Sequence, residues 1–404
     1  MSMHIRIAGW LASALLAAVP LGAAKADGVG PLTIAKEGHF YVGGRYYGEG
    51  KDKIWAGQAY VEYQIPLKRT HRWPIVMIEG CCAAGESYLG TPDGRDGWAQ
   101  FFLKHGYAVY VMDQVGRGRS PWVESVYGKQ QIKASEFVQS DFIGVEHYNK
   151  FPHAKQHTQF PGTGEFGDPN FDQVAAEMHP DWADSVKHET FNRDAIVALL
   201  DKIGPAILEP HSQSGVYAFA ATEQRPKLVK AILAIEAASS PFHSFLEVGP
   251  PDWFKDGSTK PWGLTRATPL TYAPPVMDPE KDLSIYQQDK PDQPDLVRCW
   301  LQTEPAHQLV KFKGIPILNM SMEASFDAPF AHCTSKFLTQ SGVANDFIRV
   351  GDLGIHGNGH FFMLEKNNLQ IAQVVLKWLD KRVTPLAKRS PTVPKPAAGM
   401  AAAH

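Results

Sequence analysis

Cysteine is scarce, with four residues in 404 at positions 81, 82, 299 and 333. That is too few for a disulfide scaffold, so a chain of this length must stand on a buried apolar core. An excess of either charge is also missing. Lys and Arg number 40 against 42 Asp and Glu, a net of −2, which gives no reason to expect nucleic acid or an acidic membrane surface as the main partner. Long apolar runs are absent apart from the first 28 residues, where the run is interrupted and too short for a comfortable membrane span, so no stable membrane association is expected. No internal repeat stands out, and no metal-ligand motif beyond the pair His356 and His360. Neither a metal nor an organic cofactor is expected.

Those first residues do contain Arg6 ahead of the apolar run and a small-residue ending, Ala24-Lys25-Ala26, the pattern of a secretory signal cleaved near Ala26. Removal of residues 1–26 takes away Arg6 and Lys25, so the balance becomes 38 − 42 = −4. The expected destination is the periplasm or the medium, where an even number of thiols favours disulfides. Four cysteines allow three pairings. A bridge between Cys299 and Cys333, both in segments that read as helical, leaves Cys81 and Cys82 to pair with each other. Adjacent Cα atoms lie about 3.8 Å apart across a trans peptide, below the usual disulfide span, so that ring needs strain or an unusual peptide geometry. The alternatives are bridges elsewhere, or small buried thiols.

After the leader, HFYVGGRYYG and GQAYVEYQI alternate like antiparallel strands joined by Gly-rich turns. WPIVMIEG and YAVYVMD are short continuous apolar runs, the mark of strands covered on both faces, and PAILEPHS, LVKAILAIEA, IPILNMSME and DFIRVGDLG read as further strands. Between them DGWAQFFLKHG, ETFNRDAIVALLDKIG, GVYAFAATEQRP, APFAHCTSKFLTQSG and LQIAQVVLKWLDKRV read as helices, with Gly106 and Gly204 as stops. The alternation predicts right-handed βαβ units in a single α/β domain over residues 27–385, doubly wound on a mostly parallel sheet with two antiparallel N-terminal strands. Two stretches rich in Pro, Gly and aromatic residues, about 121–185 and 239–310, interrupt it as lid or wall insertions. Residues 386–404 have the composition of a disordered tail.

Ligands of open parallel sheets bind outside the carboxyl ends of the strands, so the residues just after each apolar run carry the argument. In LEPHSQSG a strand runs into a helix through His211-Ser212-Gln213-Ser214-Gly215. A serine in such a tight turn exposes its hydroxyl, with the next backbone amide and the helix N-terminus aimed at developing negative charge. Ser212, two residues past the end of the apolar run, is preferred as nucleophile over Ser214. LGIHGNGHFFMLEKNN then offers two histidines in a Gly-rich loop. His360 is preferred as the general base that must reach the serine hydroxyl, with His356 left to line the pocket. A carboxylate must orient that imidazole. Glu236 at the end of KAILAIE is preferred, with Glu323 and Asp327 after the next strand as alternatives.

VMDQVGRGRS resembles the Asp-x-x-Gly-x-Gly-x-Ser turn of the α/β-hydrolase superfamily, PHSQSG its Gly-His-Ser-x-Gly-Gly elbow, and GNGHFFMLEK its catalytic-histidine segment. The elbow departs from that pattern at Pro210 and Ser214, where glycines are usual. The resemblance covers most of the mature length, and within the superfamily the chain is most similar to exported bacterial esterases of the esterase 713 type. It implies the α/β-hydrolase fold, a Cys81–Cys82 disulfide beside the oxyanion hole, Ser212 as nucleophile, the Cys81 and Gln213 amides as oxyanion donors, Glu236 as acid, His360 as base, and a homodimer. Cys299 with Cys333 then becomes the bridge that ties the second insertion to the core.

The expected function is an exported serine carboxylesterase that hydrolyses a small-molecule ester through an acyl-enzyme. Thioester, amide or lactone cleavage by the same triad is the sister chemistry, because specificity lives in the insertions. A metallohydrolase using His356 and His360, or an inactive hydrolase-fold binding protein, are the rivals. Trp122, Trp182, Trp253 and Trp262 in the insertions are candidates to wall an apolar pocket.

Overall fold

In the computed structural model of the protein, residues 31–237 and 240–383 are described. The expected signal segment 1–26 and the tail 386–404 lie outside the described residues. Among the described residues, those from Leu32 on form one compact unit.

The principal strands are β1 (Ile34–Tyr47), β2 (Ile54–Pro66), β3 (Ile75–Ile78), β4 (Val109–Met112), β5 (Ala206–Pro210), β6 (Val229–Ile235), β7 (His243–Gly249), β8 (Trp253–Thr259), β9 (Ile317–Ser321) and β10 (Asn345–Arg349). The longer helices of the sheet layers are α1 (Trp98–Lys104), α2 (Ser185–Ile203), α3 (Ser214–Gln224), α4 (Ala331–Gln340) and α5 (Asn368–Arg382). Eight strands make the central sheet in the order β1-β2-β4-β3-β5-β6-β9-β10. β2 runs antiparallel to both β1 and β4. Along the sheet, β4, β3, β5, β6, β9 and β10 pair in parallel.

The apolar runs are explained by burial on two sides. Along β3, Ile75 and Met77 enter the layer that holds Trp98 and Phe102 of α1 and Ile371 and Val375 of α5. Val76 and Ile78 face the other layer, with Leu199 of α2, Val216 and Phe219 of α3 and Phe337 of α4. A strand covered on both faces cannot afford polar alternation. Helix α2 begins at Ser185, earlier than the apolar spacing suggests, because the Asp184 carboxylate accepts from Val186 N at 3.0 Å and Lys187 N at 2.9 Å. It stops where Gly204 takes a positive φ of 82°.

The first insertion carries short helices, among them Pro169–Ala176 capped by Asp168. The second carries the β7–β8 hairpin. Cys299 and Cys333 are bridged, with Cα atoms 5.3 Å apart, which fastens the second insertion to α4. Cys333 is helical as expected, but Cys299 is not. It lies in the extended run into the strand Trp300–Gln302, which pairs with Ile285–Gln287. Among the described residues no helix is long and apolar enough to cross a membrane.

Candidate active site

The site forms where β3, β5, β6 and β9 end. Past β5 the chain turns through Ser212 at φ +54°, a left-handed conformation that costs a non-glycine residue about 1–3 kcal/mol, and enters α3 two residues later. Two close approaches make the turn possible. A Cβ on Gly80 would stand 2.4 Å from Ser212 Cβ, and one on Gly215 would stand 2.3 Å from the Ala237 carbonyl oxygen. Ser214, the alternative elbow serine, is fully buried and donates to Ile78 O at 2.7 Å and His211 O at 2.8 Å. Its hydroxyl is spent on the turn, whereas Ser212 is partly exposed.

Of the three carboxylates considered, Glu236 meets His360, with Oε2 3.0 Å from Nδ1. Both are buried, and Glu236 itself sits at φ +51°. Ser325 Oγ donates to the same Oε2 and Met322 N to Oε1. Burial raises the Glu236 carboxyl above the ordinary carboxylate value, by more than those two donors lower it. With Nδ1–H as the third donor, the carboxylate form is the one whose oxygens are all matched. Burial holds His360 well below the ordinary imidazole value, and the neighbouring His211 adds to the depression. Rings of Phe326 at 4.4 Å, Phe142 at 5.3 Å and Phe361 at 5.9 Å enclose it. His360 Nε2 is buried without a hydrogen-bond partner. His356 is mostly exposed and bonds Glu323 through Nδ1 at 2.9 Å, so these two are taken up with each other. Asp327 sends its main-chain N–H to Ser325 Oγ at 3.1 Å.

Cys81 and Cys82 are joined by a disulfide, their Cα atoms 3.1 Å apart across a cis peptide, instead of the trans spacing considered from the sequence. No hydrogen bond of the Cys81 or Gln213 main-chain N–H occurs among the described residues. Two groups of residues have metal-ligand proximity, Cys299 with His332 and Cys333, and Cys81 with Cys82 and Asp181. In each the sulfurs are tied in a disulfide and offer no thiolate.

Several residues of the site carry little sequence signal of their role. His211 bonds Glu79 through Nδ1 and the His360 carbonyl through Nε2 at 2.9 Å. Buried Arg117 reaches both Gly80 O and the Gln213 side chain, and its one visible cue is its place between two glycines. His157, from the first insertion, lies between Glu146 and Glu365, each 2.7 Å away. Glu365 in turn accepts from Gly359 N at 2.7 Å and from Asn358, which anchors the loop before His360. Burial opposes charge on His157, but the paired carboxylates prevail and push it up to about 9.

The tryptophans divide. Trp122 meets the buried Trp182 edge to face, their ring centroids 5.1 Å apart beside Tyr127, and Trp122 and Trp262 pack, partly buried, against the same layer. Trp253 lines a cavity of about 730 Å³ beside the β7–β8 hairpin, with Phe245, Phe254 and Arg298.

No protein-family model matches the chain. The curated "Probable secreted lipase phiG" of Fungal sp. (strain ATCC 74256) is 41% identical over 343 residues, 85% of this chain and 89% of that one. Among solved structures a novel bacterial esterase superposes with a TM-score of 0.59 at 25% identity, over 87% of this chain and 98% of that one. The mostly parallel eight-stranded sheet with its strand-turn-helix elbow and the 41% identity over most of both chains lead to one conclusion: the chain belongs to the α/β-hydrolase superfamily, in the family of that secreted lipase, and is a carboxylic ester hydrolase.

Proposed function

We propose that the protein is an exported serine carboxylesterase, a single hydrolase domain over residues 27–385 with two lid insertions, released from its signal near Ala26. The observation that carries the reading is the buried Glu236–His360 hydrogen bond at 3.0 Å, which leaves His360 Nε2 without a partner among the described residues, with the His360 ring 4.6 Å from that of His211, the residue before the left-handed Ser212. Ser212 Oγ attacks the ester carbonyl carbon as His360 Nε2 takes its proton. The imidazolium so formed is held through Nδ1–H by the Glu236 carboxylate. The Cys81 and Gln213 amides, which have no acceptor among the described residues, receive the oxyanion. His360 returns the proton to the leaving alkoxide, and water repeats the cycle on the acyl-enzyme to release the acid.

Secretion is supported by the fungal relative's name and by the signal-like first 26 residues. The test is labelling with a fluorophosphonate probe, followed by peptide mapping under non-reducing conditions. One adduct on Ser212, lost in Ser212→Ala together with esterase turnover, is the expected result. An unlabelled Ser212, or turnover that survives the substitution, overturns the reading.

A further inference from the structure

The turn after β4 runs Gly116-Arg117-Gly118, with both glycines at positive φ, 79° and 51°. It folds back because the Asp113 carboxylate accepts from Gly85 N at 2.9 Å and from Arg119 N at 2.8 Å, and because Ser120 Oγ donates to Asp113 O at 3.0 Å. The two glycines bend the chain so that Arg117 points inward, and its side chain is completely buried. A guanidinium in that position is costly unless its donors are matched. An ion pair with Asp181 would satisfy one edge of it, and that pair is present. The remaining contacts go to uncharged groups. Nη1 donates to Gly80 O at 2.7 Å and to Gln114 Oε1 at 3.1 Å, and Nη2 donates to Gln213 Oε1 at 2.9 Å.

Gly80 O belongs to the same peptide plane as Cys81 N. In a planar trans peptide the carbonyl and the N–H point in opposite directions, so whatever fixes Gly80 O on one side fixes the aim of the Cys81 N–H on the other. The Gln213 side chain belongs to the residue whose own N–H is the second candidate donor. One rigid fork therefore grips, from behind, the two residues whose amides face the carbonyl under attack.

The geometry points to Arg117 as a positioning residue that holds the Cys81 and Gln213 amides in register for the oxyanion. This inference rests on the serine-esterase reading above. Lysine at the same place keeps the charge for Asp181, but a single ammonium cannot span Gly80 O and Gln213 Oε1 in the plane that the guanidinium sets. Loss of one oxyanion donor lowers kcat by about 10² to 10³, and a donor that is present but misdirected loses a large part of that effect.

The experiment compares wild type with Arg117→Lys, Arg117→Met, Asp181→Asn and Gln213→Ala, using p-nitrophenyl butyrate for kcat and KM. A trifluoromethyl ketone inhibitor, whose serine adduct carries an oxyanion, supplies the second readout, and thermal unfolding the third. Expected are a kcat about 10²-fold lower in Arg117→Met and Arg117→Lys with KM changed less than about threefold, and ketone affinity falling by the same factor as kcat/KM. Asp181→Asn leaves the fork on Gly80 O and is expected to lower the melting temperature more than kcat. Gln213→Ala removes one of the two grips at a partly exposed residue and is expected to lower kcat by about tenfold. If Arg117→Met does not fold, Arg117→Lys and Gln213→Ala carry the test.

Wild-type kcat and ketone affinity in a folded Arg117 variant overturn the inference. So does a loss that tracks KM and melting temperature alone, or full kcat in Gln213→Ala. Failure of the underlying reading looks different, because Ser212→Ala would then stay active and wild type would take no phosphonyl label.

Discussion

Raising the pH from 6 to 9.5 should unfasten the loop that carries His360, and His157 is the reason. Its two ring nitrogens each sit 2.7 Å from a carboxylate, Nδ1 from Glu146 and Nε2 from Glu365, so both must carry protons for both bonds to form. The folded state thereby holds this imidazolium up to about 9, against 6.5 for an unperturbed imidazole. Between those values the folded protein keeps one proton here that the unfolded chain has released. The stability contributed is fully present below about pH 6.5 and is lost as the pH climbs through 9. The rise corresponds to on the order of 3 kcal/mol, and His157 is only 3% exposed, so solvent screens little of it. The assay is urea unfolding of wild type and His157→Gln at several pH values from 5.5 to 9.5. Gln is neutral throughout, so the difference between the two proteins isolates this residue from buried acids such as Glu177, which is pushed up to about 7 mainly by burial and tilts both profiles alike. The stability advantage of wild type should shrink by about 3 kcal/mol across the range. An advantage that stays constant with pH would refute the argument.

A methyl group at position 80 would stand 2.4 Å from Ser212 Cβ and 2.9 Å from His211 O, atoms that cannot rotate away. Gly80→Ala is therefore expected to displace the serine and lower kcat by about 10², while the fold loses about 1–3 kcal/mol; both are read from ester turnover and thermal melts, and an unchanged kcat would speak against the placement. Because burial and His211 hold His360 below the ordinary imidazole value, the proposed base stays neutral into mild acid, and the acid limb of kcat/KM should fall below pH 6.5. A limb at 7 or above contradicts this. The Cys299–Cys333 bridge spans a sequence separation of 34, so Cys299→Ala with Cys333→Ala is expected to destabilise by about 3–4 kcal/mol, measured by denaturant unfolding, with kcat little changed.

The parts legible in the sequence are those where one local rule decides. Strands covered on both faces have to be largely apolar: β3 is so throughout, and β5 and β6 depart from it only at Glu209 and Lys230. The position of the turn at Ser212 is legible for the same reason, since the end of β5 fixes where the turn must come. Choosing among Glu236, Glu323 and Asp327 was harder, because all three follow strands, and the sorting is tertiary. Parallel pairing of Ile235 with Met320, and Glu236 N with Met320 O at 2.8 Å, leaves Glu236 one residue beyond the ladder, where Met322 N and Ser325 close over it. Cys299 was misread as helical because Leu296, Val297, Trp300 and Leu301 recur at near-helical spacing. The pairing of Tyr286 with Leu301 and Gln287 with Trp300 overrides that pattern, and Cys299 and Leu301 are buried while Trp300 between them is less so. Trp122 and Trp182 were read as pocket candidates on composition alone, but a large ring in a long loop buries wherever the core has room.

The residues that the sequence hid share a task that no local rule describes. Backbone ladders end where the strands end, yet the groups proposed to react lie just past those ends, on loops far apart in the chain. Left to themselves, such loops open at little free-energy cost. Here three of them are cross-linked by one side chain: His211, on the elbow, bonds Glu79 at the end of β3 and the main-chain oxygen of His360. Glu79 passes the restraint on, because the same carboxylate oxygen accepts from Gly80 N at 3.0 Å, directly before Cys81. His157 and Glu365 pin the His360 loop from its other side, and Arg117 holds the far face of the Gly80 peptide. Each of these partners is a buried polar or charged group in a place where an apolar residue would pack at lower desolvation cost. They are tolerated because they bond in pairs across loops, and the result is a set of reacting atoms fixed by hydrogen bonds after the sheet has stopped fixing them.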